Sequence, residues 1–181
     1  MVECLPSKQR TGVRFSPPAP QQSFVNLSKL KNMNFKGYDS KIHFITRALL
    51  VQGDKVLLCK PIKKDWYFLP GGHIEEGETA KEALLRELIE ELGEGGYKVG
   101  EFIGACENLF PLKENLSHHE INLAFLVEVS SGIKLKSIEE HIEFVLVDKD
   151  SLADYALLPK SFKEGIIGWL ENKQTFFRSF D

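Results

Sequence analysis

The chain has 181 residues, is 43% hydrophobic and 27% charged, and carries a formal net charge of −3. That size fits one domain with a real core, and the weak negative charge argues against a broad basic surface for duplex nucleic acid. No apolar run approaches the roughly 18 residues a membrane helix needs. The N-terminus has no h-region of an export signal, and Cys4, Cys59 and Cys106 are odd in number and widely spaced. Neither a disulfide framework nor a zinc site follows from them. The expectation is a reduced, cytoplasmic protein that binds neither membrane nor duplex nucleic acid.

Residues 1–35 carry Pro6, Pro17, Pro18 and Pro20 without helical or strand periodicity. They read as a disordered lead or as a start placed too early, with Met33 an alternative start. The domain is expected over 36–181. Ile42 to Val51 is β-branched and apolar, Gln52-Gly53-Asp54 is turn chemistry, and Val56 to Cys59 resumes the apolar run, which spells a hairpin. Trp66 to Leu69 reads as a short strand stopped by Pro70, Gly71 and Gly72. The next element is a helix from Thr79 to Leu92, opened by a Thr79/Glu82 capping box and closed by Gly93. Its buried stripe is expected to hold Leu84, Leu85, Leu88, Ile89 and Leu92. Val99 to Phe110, Ile121 to Val129 and Ile142 to Val147 read as strands. A helix over about Lys160 to Glu171 closes the chain, with Phe162, Ile166, Ile167, Trp169 and Leu170 on its apolar face. Strands, helix, strands, helix imply an α/β (α+β) fold: a mixed β-sheet with helices packed on it.

The other face of the first helix carries the chemistry. Glu87, Glu90 and Glu91 stand at i, i+3 and i+4, so their carboxylates are expected to converge. Like charges so placed repel unless a cation sits among them, and a hard divalent cation takes oxygen ligands and phosphate oxygens together. A solvated acidic face is the plainer interpretation of such a run taken alone. What distinguishes it is the loop ahead, Pro70-Gly71-Gly72-His73-Ile74-Glu75-Glu76-Gly77-Glu78, whose glycines allow close backbone approach.

Gly72, Glu78, Arg86, Glu87, Leu88, Glu90, Glu91 and Gly93 match the pattern G-x5-E-x7-R-E-U-x-E-E-x-G-U at eight of its nine specified positions, Glu94 replacing the usual aliphatic residue. The chain therefore resembles the Nudix hydrolase family from about Ile42 to the last helix. The resemblance implies an α/β/α sandwich holding Mg²⁺, with Mn²⁺ as a substitute, on Glu87, Glu90, Glu91 and the Gly71 carbonyl. It also implies that Arg86 orients a glutamate, and that Glu78 supports the loop or holds a further ion. Glu78, Gly72 and Trp66 are the candidates for substrate contact. Water would attack a diphosphate linkage of a nucleotide: a nucleoside triphosphate, ADP-ribose or a nucleotide sugar. Glu90 is one candidate base. Glu140, in the loop Ser137–His141 before the last strand, is another, preferred there over Glu139. A homodimer is compatible with this family.

The competing readings are a catalytically silent nucleotide-binding or sensor protein, and an isomerase of isoprenoid diphosphates that would need a catalytic cysteine. His118-His119-Glu120 resembles a ligand cluster, but adjacent strand residues point to opposite faces.

Overall fold

The computed structural model describes residues 38–111, 117–129, 138 and 140–179; the expected lead over 1–35 lies outside them. In chain order the elements are β1 (Tyr38–Gln52), β2 (Lys55–Pro61), α1 (Ala80–Leu92), β3 (Tyr97–Pro111), β4 (Ser117–Val129), β5 (Ile142–Asp148), a 3₁₀ turn (Lys149–Asp154), α2 (Lys160–Asn172) and β6 (Phe176–Ser179). The strands form one sheet in the order β5-β2-β1-β4-β3-β6. It is mixed, because β1 lies parallel to β4 and β3 parallel to β6 while the remaining pairs are antiparallel. The fold is α+β, as the order of elements implied.

Period-two alternation divides the core between the two faces of the sheet. Ala48, Leu50, Leu57, Phe125 and Val127 pack against Leu84, Leu88 and Leu92 of α1. Their neighbours Leu49, Leu58 and Ala124 pack on the opposite side against Phe162, Ile166 and Trp169 of α2. With one helix on each face, the central strands are covered twice. That explains why their sequences read as continuous apolar runs rather than alternating ones.

Helix α1 begins where its capping box sets it: the Glu82 N–H donates to Thr79 Oγ1 at 3.3 Å, and Thr79 N–H donates to Glu82 Oε2 at 2.8 Å. It ends at Gly93, whose φ of 83° few other residues adopt and whose N–H donates to the Ile89 carbonyl. Two expectations for this region fail. Leu85 and Ile89 are 37% and 40% exposed, since the sheet covers only the narrower stripe Leu84-Leu88-Leu92. Trp66 to Leu69 is not a strand: it makes single bridges, Phe68 with Cys59 and Tyr67 with Leu157, and Pro70 offers no N–H to extend a ladder.

Candidate active site

The loop between β2 and α1 runs back along β1. Ala48 N–H donates to the Pro70 carbonyl, Thr46 N–H to the Gly72 carbonyl, and Ile74 N–H to the Phe44 carbonyl, each at 2.9 Å. These bonds lay Gly71 and Gly72 between β1 and the Leu84–Glu91 side of α1. Gly71 has φ of +126°, and a Cβ there would stand 2.2 Å from the Thr46 carbonyl oxygen. A Cβ on Gly72 would stand 2.3 Å from the Glu87 carboxylate. Both glycines are therefore required by close approach, one to backbone and one to an acidic side chain.

Arg86 organises the acidic face. Its Nη2 and Nε donate to the two Glu78 oxygens at 2.8 and 3.2 Å, and Nη1 donates to Glu87 Oε1 at 2.9 Å and Glu90 Oε2 at 3.4 Å. Nη2 also reaches the His73 carbonyl at 3.1 Å. The fork on Glu78 raises the Arg86 pKa further above its already high value and lowers that of Glu78, so both stay charged. Glu78 also accepts the Glu75 N–H at 2.7 Å, which ties the loop ahead of the helix to Arg86.

The three glutamates occupy different environments. Glu91 is 5% exposed, and its Oε2 accepts the Gly71 N–H at 3.1 Å. Glu87 lies under Gly72, and Glu90 has a side chain 56% exposed. The expected convergence is not present as a closed set. Among the described residues, no three His, Cys, Asp or Glu side chains stand ready to hold a metal ion. Arg86 draws Glu87 and Glu90 to itself while Glu91 turns to the loop. The donor chemistry nevertheless suits a hard divalent cation: carboxylate and carbonyl oxygens without nitrogen or sulfur.

Glu94, the one departure from the motif, is exposed, so the missing aliphatic residue leaves no gap in the core. The loop before β5 reaches the end of α1, where the Ile138 N–H donates to the Glu91 carbonyl at 2.9 Å. Glu140 is exposed in that turn, and Glu139 lies outside the described residues.

A cleft of about 600 Å³ opens on the α2 side of the sheet. Trp66, Phe68 and Phe110 supply its aromatic walls, and Arg47, Glu120 and Asn122 supply polar groups from β1 and β4. Trp66 is 37% exposed and faces this cleft, while its neighbour Tyr67 packs on the core. His118 and His119 point to opposite faces, pairing with Glu120 and Glu107 respectively at 2.9 Å, so they form no joint ligand set.

Sequence reasoning missed Arg47. Its Nη1 donates to the Gly71 carbonyl at 2.7 Å and to the Leu69 carbonyl at 3.1 Å, and its Nε donates to Asn122 Oδ1 at 3.3 Å. A charged residue inside an apolar strand was the only signal available.

The NUDIX domain family matches residues 42–170, and the chain belongs to the Nudix hydrolase family. It is 28% identical over 145 residues to the ADP-ribose pyrophosphatase of Methanocaldococcus jannaschii, covering 77% of this chain and 83% of that one. It is 39% identical over 49 residues to the Nudix hydrolase YvcI of Bacillus subtilis, a stretch covering 27% of this chain and only 31% of YvcI. Its fold is similar to that of a MutT protein from Bacillus halodurans, with TM-score 0.62, 21% identity, and 77% and 89% of the two chains covered. Nudix hydrolases generally use a divalent metal. Cys59 and Cys106 are both buried at 0% exposure, and burial pushes the Cys106 thiol up, so neither offers the reactive thiolate that the isomerase reading requires. No described helix is long and apolar enough to cross a membrane.

Proposed function

We propose that this protein hydrolyses a diphosphate linkage in a nucleotide-type substrate, with water as the attacking group. The products are a nucleoside monophosphate and the phosphate of the other moiety, or pyrophosphate when a triphosphate is cut. The carrying observation is the single Arg86 guanidinium that gathers Glu78, Glu87 and Glu90 beneath a glycine loop. The aromatic cleft lies across β1 from that loop, reached through Arg47. A flat base suits the aromatic walls of the cleft, which directs the diphosphate towards the loop. The similarity to an ADP-ribose pyrophosphatase makes ADP-ribose the first candidate substrate.

Glu87, Glu90, Glu91 and the Gly71 carbonyl are the groups that would hold Mg²⁺, or Mn²⁺ in its place. A bound divalent ion would supply charge neutralisation at the phosphate oxygens and a more acidic water. Glu91 is fixed by the loop N–H, and Glu87 is fixed between Gly72 and Arg86. Glu90 is held among the described residues by Arg86 alone, at 3.4 Å, so it has the most freedom to accept a proton from water. Glu140 is the second candidate base, exposed in a turn whose neighbour Ile138 touches the Glu91 backbone. Arg86 keeps the glutamates oriented, and Trp66 contributes to binding the base.

The test is turnover of ADP-ribose, nucleotide sugars and nucleoside triphosphates by the full chain with Mg²⁺, repeated with chelator. Hydrolysis of at least one, abolished by the chelator, is the expected result. A folded protein that binds nucleotide and Mg²⁺ without turnover would replace the hydrolase with a silent binding protein.

A further inference from the structure

We infer that Arg47 is a positioning residue for this reaction, fixing the Gly71 carbonyl that would serve the ion beside Glu91. The inference rests on the hydrolase reading above, and it concerns a residue outside the Nudix motif. Gly71 is held from both sides of its backbone: Arg47 Nη1 donates to its carbonyl at 2.7 Å, and Glu91 Oε2 accepts its N–H at 3.1 Å. Its φ of +126° is open to glycine without strain, so the direction of its carbonyl is set by these partners rather than by a side chain. The guanidinium occupies one lone pair of the carbonyl oxygen and leaves the second for a cation. It therefore fixes the direction of that second lone pair, and its bond to the Leu69 carbonyl at 3.1 Å clamps the turn whose Gly71 N–H meets Glu91.

The same guanidinium reaches the cleft. Its Nε donates to Asn122 Oδ1 at 3.3 Å, and the Asn122 amide donates in turn to Glu120 Oε2 at 3.2 Å. Glu120 Oε1 is held by His118 at 2.9 Å. The guanidinium carbon sits 5.6 Å from the centre of the Phe68 ring, which walls the cleft. Asn122 is 1% exposed, so its amide orientation is set by these partners rather than by solvent. One planar five-donor group thus connects the cleft wall to the loop, a task a lysine ammonium cannot perform with the same geometry.

The experiment is Mn²⁺ titration of the full chain without substrate, for wild type and Arg47→Lys, together with kcat, KM and Tm. The expected result is Mn²⁺ affinity weakened about tenfold or more, the size typical when a group orienting a metal ligand is lost. kcat should fall by a similar factor, with KM changed less than kcat and the Tm largely retained. Folded Arg47→Lys with unchanged Mn²⁺ affinity and kcat overturns the inference. If Arg47→Lys does not fold, Asn122→Leu removes the anchor at Nε while leaving Arg47 on the loop, and its Mn²⁺ affinity must weaken in the same direction; unchanged affinity overturns the inference. Wild type that binds Mn²⁺ but turns over no nucleotide counts against the hydrolase reading. The Mn²⁺ comparison still decides the role of Arg47 in that case.

Discussion

Arg86 grips Glu78 through both carboxylate oxygens, at 2.8 and 3.2 Å, and so fastens the loop ahead of α1 to the helix itself. That fork, with the Glu75 N–H second, holds the Glu78 carboxyl below the ordinary glutamate range. A lowered folded-state value means that its contribution to stability is complete above the unfolded value of about 4.3, and is lost as pH falls through the lowered one. Wild type should therefore lose thermal stability on acidification below that point more steeply than Glu78→Gln. Glu82, which is lowered as well, is common to both proteins and cancels in the comparison. Parallel Tm–pH curves in this range would contradict the pairing.

The two loop glycines should fail in different ways. Gly71→Ala forces a Cβ onto the Thr46 carbonyl at positive φ, a backbone conflict expected to cost about 1–3 kcal/mol in denaturant unfolding. Gly72→Ala meets first the end of the Glu87 side chain, which makes room by giving up its bond to Arg86. Its stability should change little while divalent-ion affinity drops. Equal losses of stability in both variants would show that the Glu87 contact is not what Gly72 serves.

Leu88 is fully buried between α1 and the sheet, whereas Leu85 one turn earlier is 37% exposed. Leu88→Ala should cost about 2–5 kcal/mol, and Leu85→Ala no more than about 0.5 kcal/mol. Urea midpoints of the two variants decide the matter.

Much of this arrangement is legible in the residues. The capping box, Gly93 and the Leu84-Leu88-Leu92 spacing locate α1 to within a residue, because those signals are local. The depth of the buried stripe is not local, which is why Leu85 and Ile89 were expected inside. Strand β6 has four residues, too few for a period to register. It is specified by Phe176, whose ring fills the space left by Gly165 on α2 and by Gly104, distant in sequence on β3. The motif names the acidic residues and their spacing, but not that Arg86 holds two of the three glutamates apart from Glu91. Arg47 carries no motif at all, since its partners lie 22, 24 and 75 residues away.

Thr46 is fully buried, and its hydroxyl has no hydrogen-bond partner among the described residues. Valine has the same shape without the polar group. Thr46→Val should therefore raise stability by about 1 kcal/mol, the cost of leaving a buried hydroxyl unpaired. A loss of stability would show that the hydroxyl is partnered.

The most direct measurement is the comparison of Glu91→Gln and Glu94→Gln with wild type on whichever nucleotide is hydrolysed, as kcat/KM at saturating Mg²⁺. Glu91 is buried against the Gly71 N–H, whereas Glu94 is exposed just beyond the end of α1. The expected result is a fall of about 100-fold or more for Glu91→Gln and near wild-type activity for Glu94→Gln. Full activity in a folded Glu91→Gln would contradict the placement of the reaction at this loop and helix.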